Sequence, residues 1–390
     1  MDGFFRPTRV EVSLDALRHN LGAFRRVLPP EMKIMAVVKA NAYGHGAVEV
    51  AQEAAACGAE MLGVAFLDEA VELRKAGIAS SILVLGYTPP EGIETARQYD
   101  VALTVFDREM LDALSRLSGY GRPLRIHVKL DTGMGRIGLH EEAEAIEFIE
   151  DALRLANVRV EGVFTHYAAA DEADKTYTYL QHERFNRIVE HFRRCGVTFP
   201  YVHAGNSATA IEFPELSNTM IRLGISMYGL YPSEEVNHQR IALRPLLSLK
   251  TGIVLVKTLP TGSGVSYGVT YRTQGNERIA TLPIGYADGF IRRLAGQADA
   301  LVRGRRAPIV GRICMDQCMI RVDHIPDAAI HDEVTLIGEQ EGERVTADDL
   351  ARILGTINYE ITCMISHRVP RLYLREGRIV KTVNPLGRLS

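Results

Sequence analysis

Short apolar runs alternate with amphipathic stretches along the chain from about residue 34 to residue 225. The apolar runs have the length and composition of buried strands, and the stretches between them repeat apolar residues at helical spacing. The predicted helices span 14–28, 47–57, 68–76, 107–117, 141–156 and 177–195. The predicted strands span 34–38, 61–66, 82–86, 101–105, 125–130, 158–165, 201–204 and 220–224. Parallel strands that are each followed by a helix predict an α/β fold, a (β/α)8 TIM-like barrel.

The pattern changes after Arg244 and Pro245, where short β-type runs are separated by glycine and proline. The predicted strands here span 248–258, 278–283, 307–313, 318–322 and 333–337, and one predicted helix spans 346–354. This sequence pattern is typical of a mainly β domain. We therefore expect a TIM-like barrel over residues 1–243 and a C-terminal β-rich domain over residues 244–390.

The composition is that of an ordinary soluble protein, large enough for about two or three domains. The chain has 390 residues, of which 46% are hydrophobic, and its formal net charge is −3. The near-neutral charge and the lack of long charge runs argue against nucleic acid or a membrane as partner. No apolar stretch approaches the ~20 residues that span a bilayer, and residues 1–9 lack the apolar core of a signal peptide. The expected compartment is the cytoplasm.

The cysteines are scattered and odd in number, which fits reduced thiols better than a disulfide framework. Cys314 and Cys318 lie close together in sequence. No second pair of cysteines or histidines follows them at zinc spacing, so we expect no metal site.

Lys39 ends the first predicted strand, directly after the apolar residues 34–38, and is followed by a turn rich in glycine and asparagine. A lysine delivered from a buried strand is partly desolvated, which lowers its pKa and makes the amine a nucleophile. Such an amine can form a Schiff base with an aldehyde cofactor. The alternative is a strand-ending lysine whose ammonium reaches solvent.

Other polar residues follow the later strands of the predicted barrel, where chemistry and phosphate binding collect in this fold. His166 follows the sixth strand, Asn206 and Ser207 follow the seventh, and Arg222 lies in the eighth just before Gly224 and Ile225. The amides of this region and the Ser207 hydroxyl can hold an anion. A phosphate site and a reactive lysine at one barrel mouth indicate a phosphorylated aldehyde, for which pyridoxal 5′-phosphate is the simplest candidate.

Each of these residues also has a plainer interpretation. His166 could be a satisfied polar residue at a strand end, and Asn206 with Ser207 could be a helix cap. Arg222 is harder to explain in this way, because a charged guanidinium inside a barrel requires an anion or fixed acceptors. Arg136, in the glycine-rich loop after Lys129, could clamp a carboxylate or could simply face solvent.

These segments resemble the alanine racemases, and the resemblance extends over nearly the whole chain. Its most specific parts are residues 36–46 (AVVKANAYGHG), 264–268 (GVSYG), 283–289 (PIGYADG) and 311–317 (GRICMDQ). It implies a pyridoxal-phosphate enzyme with a TIM-like barrel and a C-terminal β domain. It further implies a homodimer that interconverts L-alanine and D-alanine and supplies D-alanine for peptidoglycan.

The resemblance also implies roles for individual residues. Lys39 would carry the cofactor and act as one base, and Tyr267 would be the other base. Cofactor phosphate would be held by Tyr43, Ser207, Gly224, Ile225 and Tyr359, the pyridine nitrogen by Arg222, and Arg222 by His166. Arg136 and the Met315 amide would hold substrate, Tyr286 and Arg292 would line the entryway, and Lys129 is carbamylated in many members.

The implied chemistry agrees with these residue types. Inverting a Cα centre requires a proton removed from one face and returned to the other, so two bases must flank the same carbon. Because Tyr267 lies in the second predicted domain, a dimer would bring it to the Lys39 of its partner. The alternatives are an amino-acid racemase of broader specificity, a non-catalytic pyridoxal-phosphate carrier, and, more distantly, a metal-dependent barrel hydrolase.

Overall fold

The strands predicted for the first half of the chain are all present and form a parallel barrel, which confirms the predicted fold. The structure is a computed structural model, and it describes residues 3–117 and 121–387. Strand β1 (Arg9–Ser13) lies outside the barrel. The barrel strands are β2 (Lys33–Val37), β3 (Met61–Val64), β4 (Ser81–Val84), β5 (Ala102–Val105), β6 (Leu124–Lys129), β7 (Val158–Phe164), β8 (Tyr201–His203) and β9 (Met220–Leu223).

The barrel strands are hydrogen-bonded in the order β8-β7-β6-β5-β4-β3-β2-β9. The strands β8 and β9 meet without a regular ladder. The Thr219 amide donates to the Val202 carbonyl at 2.9 Å, and the Val202 amide donates to Thr219 Oγ1 at 2.8 Å. Most strand residues are buried on both faces, as expected for parallel strands covered by helices.

Each of the predicted helices around these strands is present, with ends within two residues of the predicted ones. Asp107 caps one of them, accepting the Met110 amide at 2.8 Å. Two short helices escaped prediction because six residues are too few for a periodic signal. The helices are Leu14–Val27, Ala47–Ala56, Leu67–Lys75, Ile93–Gln98, Arg108–Ser115, Glu142–Arg154, Thr176–Arg194 and Ser207–Glu212.

The rest of the chain is mainly β, as predicted. Its strands are β10 (Leu247–Gly252), β11 (Leu255–Leu259), β12 (Gly264–Val265), β13 (Tyr271–Arg272), β14 (Glu277–Leu282), β15 (Asp299–Val302), β16 (Arg305–Pro308), β17 (Cys318–Arg321), β18 (Glu333–Gln340), β19 (Glu343–Val345), β20 (Arg371–Arg375) and β21 (Arg378–Val383). The largest sheet has the order β16-β15-β18-β10-β1-β20-β21, with β19 paired to β18. The predicted strand 248–258 is in fact two strands, β10 and β11, which belong to different sheets. A three-stranded sheet β11-β14-β17 and a hairpin β12-β13 complete the strands. The helices here are Ala347–Leu354 and Asn358–Cys363.

Strand β1 pairs antiparallel with β10 and parallel with β20.

The chain divides into two compact units. The barrel unit comprises Leu17–Ala42 and Ala47–Arg244, and the β-rich unit comprises Met1–Ala16, Tyr43–Gly46 and Pro245–Ser390. Residues 1 and 390, the outer ends of the predicted domains, lie outside the described residues. No described helix is both long and apolar enough to cross a membrane.

Candidate active site

Lys39 follows β2 at the carboxyl end of the barrel and opens a left-handed turn. Ala40, Asn41 and Ala42 have φ of 53°, 53° and 52°. Each such residue costs about 1–2 kcal/mol, so neighbouring contacts must hold the turn. The Ala40 amide donates to Glu69 Oε1 at 2.7 Å, and Asn41 Oδ1 accepts the Ala47 amide at 2.8 Å. These bonds fix the backbone that carries the Lys39 amine.

Arg222 lies on β9, next to the strand that leads to Lys39, with Met35 of β2 as its register partner. Its side chain is buried. Nη1 donates to both Nδ1 and the carbonyl of His203, at 2.9 Å each. Nη2 donates to His166 Nδ1 at 2.8 Å and to the Thr165 and Ala204 carbonyls at 2.8 and 2.9 Å.

These bonds leave one N–H of Arg222 for a ligand. Within the described residues, Nη1 and Nη2 have protein acceptors and Nε has none. Burial lowers the pKa of Arg222 to about 9, so the guanidinium stays charged at neutral pH. The hydrogen bond from Arg222 to His166 is the contact that the resemblance implies. The other acceptors are of the kind that a buried guanidinium requires.

His166 and His203 both remain neutral beside this cation. Burial first, and then the charge of Arg222, hold the pKa of each imidazole well below its usual value. A neutral ring is required, because each Nδ1 accepts a hydrogen bond from Arg222. His203 was not predicted as a site residue. Its only signal in the sequence is a histidine at the end of an apolar strand.

Ser207 begins the short helix after β8, and Asn206 caps that helix by accepting the Thr209 amide at 3.1 Å. The capping interpretation is therefore correct for Asn206. Ser207 Oγ accepts the amides of Gly224 and Ser226, at 3.1 and 3.4 Å. With both lone pairs occupied, the Ser207 hydroxyl proton can only be donated, and no described residue accepts it. This arrangement suits an anion beside Ser207, Gly224 and Ile225.

Lys129 ends β6 inside the barrel unit, where its ammonium donates to the Leu130 carbonyl at 2.8 Å. Burial first, and then the charges of Arg222 and Arg136, lower the pKa of Lys129 to about 7, although Asp131 opposes this. In a large fraction of the molecules, Lys129 is therefore a neutral amine at neutral pH.

Arg136 lies in a loop that the Asp131 carboxylate organises. Asp131 Oδ1 accepts the amides of Gly133, Met134 and Gly135 at 3.0, 2.8 and 3.0 Å, and Oδ2 accepts the Arg136 amide at 3.1 Å. The backbone of this loop is thus fixed, while the Arg136 side chain is exposed. The exposed guanidinium is open to an anionic ligand.

The other predicted site residues belong to the β-rich unit. Tyr43 and Tyr359 lie together there, with ring centroids 6.0 Å apart. Burial first, and then Cys363, raise the pKa of Tyr43, so its hydroxyl remains protonated. These two predicted phosphate ligands are brought together by the unit's own fold.

Tyr267 follows the hairpin strand β12, and the two residues before Tyr267 lie against the segment that leads to Met315. Ser266 Oγ donates to the Arg312 carbonyl at 2.6 Å, and a Cβ on Gly311 would lie 2.6 Å from the Val265 carbonyl oxygen. The Tyr286 amide donates to the Cys314 carbonyl at 3.0 Å. The exposed fractions of Tyr267, Met315 and Tyr286 are 68%, 54% and 40%. Arg292, in the next turn, is also exposed.

The predicted site residues are divided between the two units. The barrel unit holds Lys39, Lys129, Arg136, His166, Ser207, Arg222, Gly224 and Ile225, and the β-rich unit holds Tyr43, Tyr267, Tyr286, Arg292, Met315 and Tyr359. Among the described residues, no group of three or more His, Cys, Asp or Glu side chains is placed to hold a metal ion.

The whole chain is similar to proteins of one family. Residues 12–232 match the family model described as "Alanine racemase, N-terminal domain", and residues 246–373 match "Alanine racemase, C-terminal domain". The alanine racemase of Halalkalibacterium halodurans is 50% identical over 390 residues, covering 99% of this chain and 100% of that protein. The alanine racemase of Clostridium tetani is 46% identical, covering 96% and 97%.

Solved structures show the same similarity. The alanine racemase of Bacillus anthracis with bound L-Ala-P has a TM-score of 0.93 and 45% identity, covering 98% of this chain and 99% of that chain. The alanine racemase of Clostridium difficile has a TM-score of 0.94 and 42% identity at the same coverage.

Proposed function

The chain belongs to the alanine racemase family, and from that premise we propose that Lys39 and Tyr267 are its two catalytic bases. Its activity is the interconversion of L-alanine and D-alanine, with pyridoxal 5′-phosphate as cofactor. The observation that carries the assignment is the position of Lys39. Its strand β2 pairs with β9, which places the lysine at the barrel end where Arg222, Gly224 and Ile225 also lie.

The donor groups of the barrel unit fit this cofactor. The free Nε–H of Arg222 suits a pyridine nitrogen, and the Ser207 proton with the Ile225 amide suits a phosphate. The Gly224 amide donates to Ser207 Oγ and would hold that hydroxyl toward the phosphate. Tyr43, whose hydroxyl stays protonated, and its neighbour Tyr359 are the other proposed phosphate ligands. When bound, the cofactor supplies an aldehyde for the substrate amine and a conjugated ring that withdraws electrons from Cα.

The bases would act on opposite faces of the substrate. Lys39 would take or return the proton on one face, and the Tyr267 hydroxyl would do so on the other. The exposed Arg136 guanidinium and the Met315 amide would bind the substrate carboxylate, which orients Cα between the bases. Tyr286 and Arg292 would line the route by which alanine enters.

A carbamate on Lys129 would complete the substrate side of the site. The neutral amine that a pKa of about 7 allows can add to carbon dioxide and lose a proton. The product is an anion, and it would lie near the cations of Arg136 and Arg222, whose charges already act on Lys129. Its role would be to hold the Arg136 guanidinium in place.

The working form proposed here is a homodimer in which each site takes Lys39 from one copy and Tyr267 from the other. The large exposed side chains of Tyr267, Met315 and Tyr286 in the β-rich unit support an interface there. D-alanine supply for peptidoglycan is the proposed role. The cytoplasm is the proposed compartment, supported by the odd number and scattered positions of the cysteines, which fit reduced thiols.

Mixed dimers test the paired bases. Lys39→Ala and Tyr267→Phe homodimers should each be nearly inactive, because one base is missing from every site. Refolding the two proteins together should make about half of the dimers mixed, and one site in each mixed dimer would be intact. About a quarter of all sites should therefore regain wild-type racemisation.

Mass spectrometry of intact dimers provides the control, by showing that mixed dimers have formed. If they are present and no activity returns, the shared site is wrong. If the Lys39→Ala protein, freed of added amines, still shows a Schiff-base absorbance band that borohydride reduces to a protein-linked adduct, the role of Lys39 is wrong.

The alternatives predict different outcomes. A racemase of broader specificity would process serine or larger amino acids at rates close to that for alanine. A non-catalytic cofactor carrier would bind pyridoxal phosphate and racemise none of them. Racemisation rates for purified protein on a panel of amino acids separate these cases.

A further inference from the structure

Three side chains inside the barrel unit form a continuous hydrogen-bonded line that ends at Arg222. Arg222 Nη1 lies 2.9 Å from His203 Nδ1, and His203 Nε2 lies 2.9 Å from His127 Nδ1. All three side chains are buried. His127 lies on β6, and the proposed function does not use it.

The chemistry of the groups fixes the direction of every bond in this line. Arg222 can only donate, so His203 Nδ1 is an acceptor and carries no proton. A neutral His203 then carries its proton on Nε2 and donates it to His127 Nδ1. His127, also neutral, must carry its proton on its own Nε2. Burial supports neutrality, because it lowers the pKa of His127 to about 3.

His127 is the other end of the line. The Nε2 of His127 is buried and has no partner among the residues that the structure describes. An unpaired buried N–H is unfavourable. His127 nevertheless keeps its proton on Nε2, because its Nδ1 is needed as the acceptor for His203. A histidine that only filled space would have no reason to leave a buried donor unpaired.

The fold makes a specific place for the His127 ring. A Cβ on Gly162 would lie 2.6 Å from His127 Nδ1, so a side chain at that position would displace the ring. The ring stacks on Tyr201 with a centroid distance of 5.5 Å. His203 is held likewise, by stacking on Phe164 at 4.6 Å. These contacts restrict the orientation of both imidazoles.

We propose that His127 is a positioning residue for Arg222. By accepting the Nε2–H of His203, it holds the one tautomer of His203 whose Nδ1 can accept from Nη1. If His203 carried its proton on Nδ1 instead, that N–H would face an N–H of Arg222 Nη1, and the guanidinium would have to turn. The direction of the free Nε–H would change with it. The consequence for catalysis rests on the proposed function, because it requires the pyridine nitrogen to lie at Nε.

Nitrogen NMR of the unaltered enzyme tests the tautomers directly. In full-length protein with cofactor bound and 15N-labelled histidine, couplings from ring carbon protons identify the protonated nitrogen. Backbone-based sequential assignment of the wild-type enzyme identifies the His127 and His203 signals. We expect Nε2–H for both His203 and His127. A proton on Nδ1 of His203 would overturn the proposal.

A matched pair of variants tests the positioning role. Asparagine and leucine have nearly the same shape, but only the Asn Oδ1 can replace His127 Nδ1 as an acceptor. Racemisation kcat should be about tenfold lower for His127→Leu than for His127→Asn, the effect of one buried hydrogen bond in a charged network. KM for alanine should differ little, and transamination should rise relative to racemisation in the leucine protein only.

Equal kcat values for the two variants would show that His127 only fills space and would overturn its positioning role. Circular dichroism melting curves check that both variants fold, and if neither does, the NMR result on the wild-type enzyme decides. Failure of the proposed function is distinguishable, because it appears as a wild-type protein without bound cofactor or racemisation, whatever the histidine tautomers are.

Discussion

Arg222 shows how burial selects one residue type at a functional position. Its two Nη atoms satisfy two imidazoles and three carbonyls. Only a planar fork of N–H donors can do this while leaving Nε free. Because the side chain keeps its proton, a pyridine nitrogen at Nε would stay unprotonated and the ring would be a weak electron sink.

Arg222→Glu should therefore change the reaction specificity. A glutamate favours a protonated pyridine ring, which withdraws electrons more strongly, so transamination should rise and racemisation should fall. The ratio of D-alanine to pyruvate formed from L-alanine measures this and does not depend on the fraction of folded protein. Arg222→Lys, which keeps the charge but loses the fork, is the control. An unchanged ratio in the glutamate variant would remove Arg222 from the pyridine site.

Lys129 should react with carbon dioxide as its pKa of about 7 predicts. The folded pKa is lowered, so the neutral amine and its carbamate should increase as the pH rises through 7. Carbon NMR in 13C-bicarbonate should show a protein-bound carbamate signal that grows over this range. Lys129→Arg keeps a cation but cannot form the adduct, and a signal of equal size in that variant would contradict the assignment.

At the scale of elements, the residues that follow the left-handed turn, 44–46, are held by hydrogen bonds within the β-rich unit. Arg371 Nε and Nη2 donate to the Gly44 carbonyl at 3.3 and 3.2 Å, and Tyr373 Oη donates to the His45 carbonyl at 3.1 Å. A Cβ on Gly46, whose φ is +104°, would lie 1.7 Å from Tyr373 Oη. Glycine is needed there for both the conformation and the space.

Gly46→Ala should consequently destabilise the protein by about 2–4 kcal/mol, from backbone strain together with overpacking. Gly342→Ala is the matched control, since Gly342 has φ +88° in the same unit and nothing lies within 4 Å of its Cβ position. Its cost should be only about 1–2 kcal/mol. Urea unfolding followed by circular dichroism measures both, and equal losses would mean that the contact with Tyr373 is unimportant.

At the scale of the whole molecule, Asp288 ties together parts of the β-rich unit that are far apart in sequence. Its buried carboxylate accepts from Arg6 Nη2 at 2.7 Å, Arg368 Nε at 2.8 Å and the Gly285 amide at 3.0 Å. Burial alone would raise the pKa of Asp288, but these bonds hold the pKa below its usual value. Its stabilising effect is therefore present above the unfolded-state pKa and is lost as pH falls through the folded-state pKa.

Asp288→Asn should cost about 3 kcal/mol at neutral pH, because Arg6 and Arg368 lose a buried charged partner. The difference from wild type should shrink as the pH falls below about 4, where the wild-type carboxyl itself becomes protonated. Urea unfolding of both proteins at neutral and acidic pH measures this. A difference that stays constant with pH would show that the carboxylate charge is not what stabilises the fold.

The boundary between the predicted domains, at residues 243 and 244, stays a prediction. The sequence predicted no strand at residues 9–13 and included them in the barrel domain, whereas the structure pairs β1 with β10 and β20. Pairing partners of this kind lie hundreds of residues away, and local composition does not encode them. For the same reason the predicted strand 248–258 gave no sign that its two halves enter different sheets.

What the sequence determined by itself was local. The apolar runs, the helical spacing and the turn after Lys39 depend on neighbouring residues, so the barrel strands and the position of Lys39 at a strand end were predictable. Arg222 was conspicuous because a charge in an apolar run requires a partner.

Only the tertiary structure decided which partners these residues have. His127 and His203 are 76 residues apart, and no local signal connects them. The closed barrel brings β6, β8 and β9 around one interior, where polar groups removed from water must bond to each other. The left-handed turn likewise exists because contacts from other segments outweigh its strain, which is a balance that the residues of the turn cannot set alone.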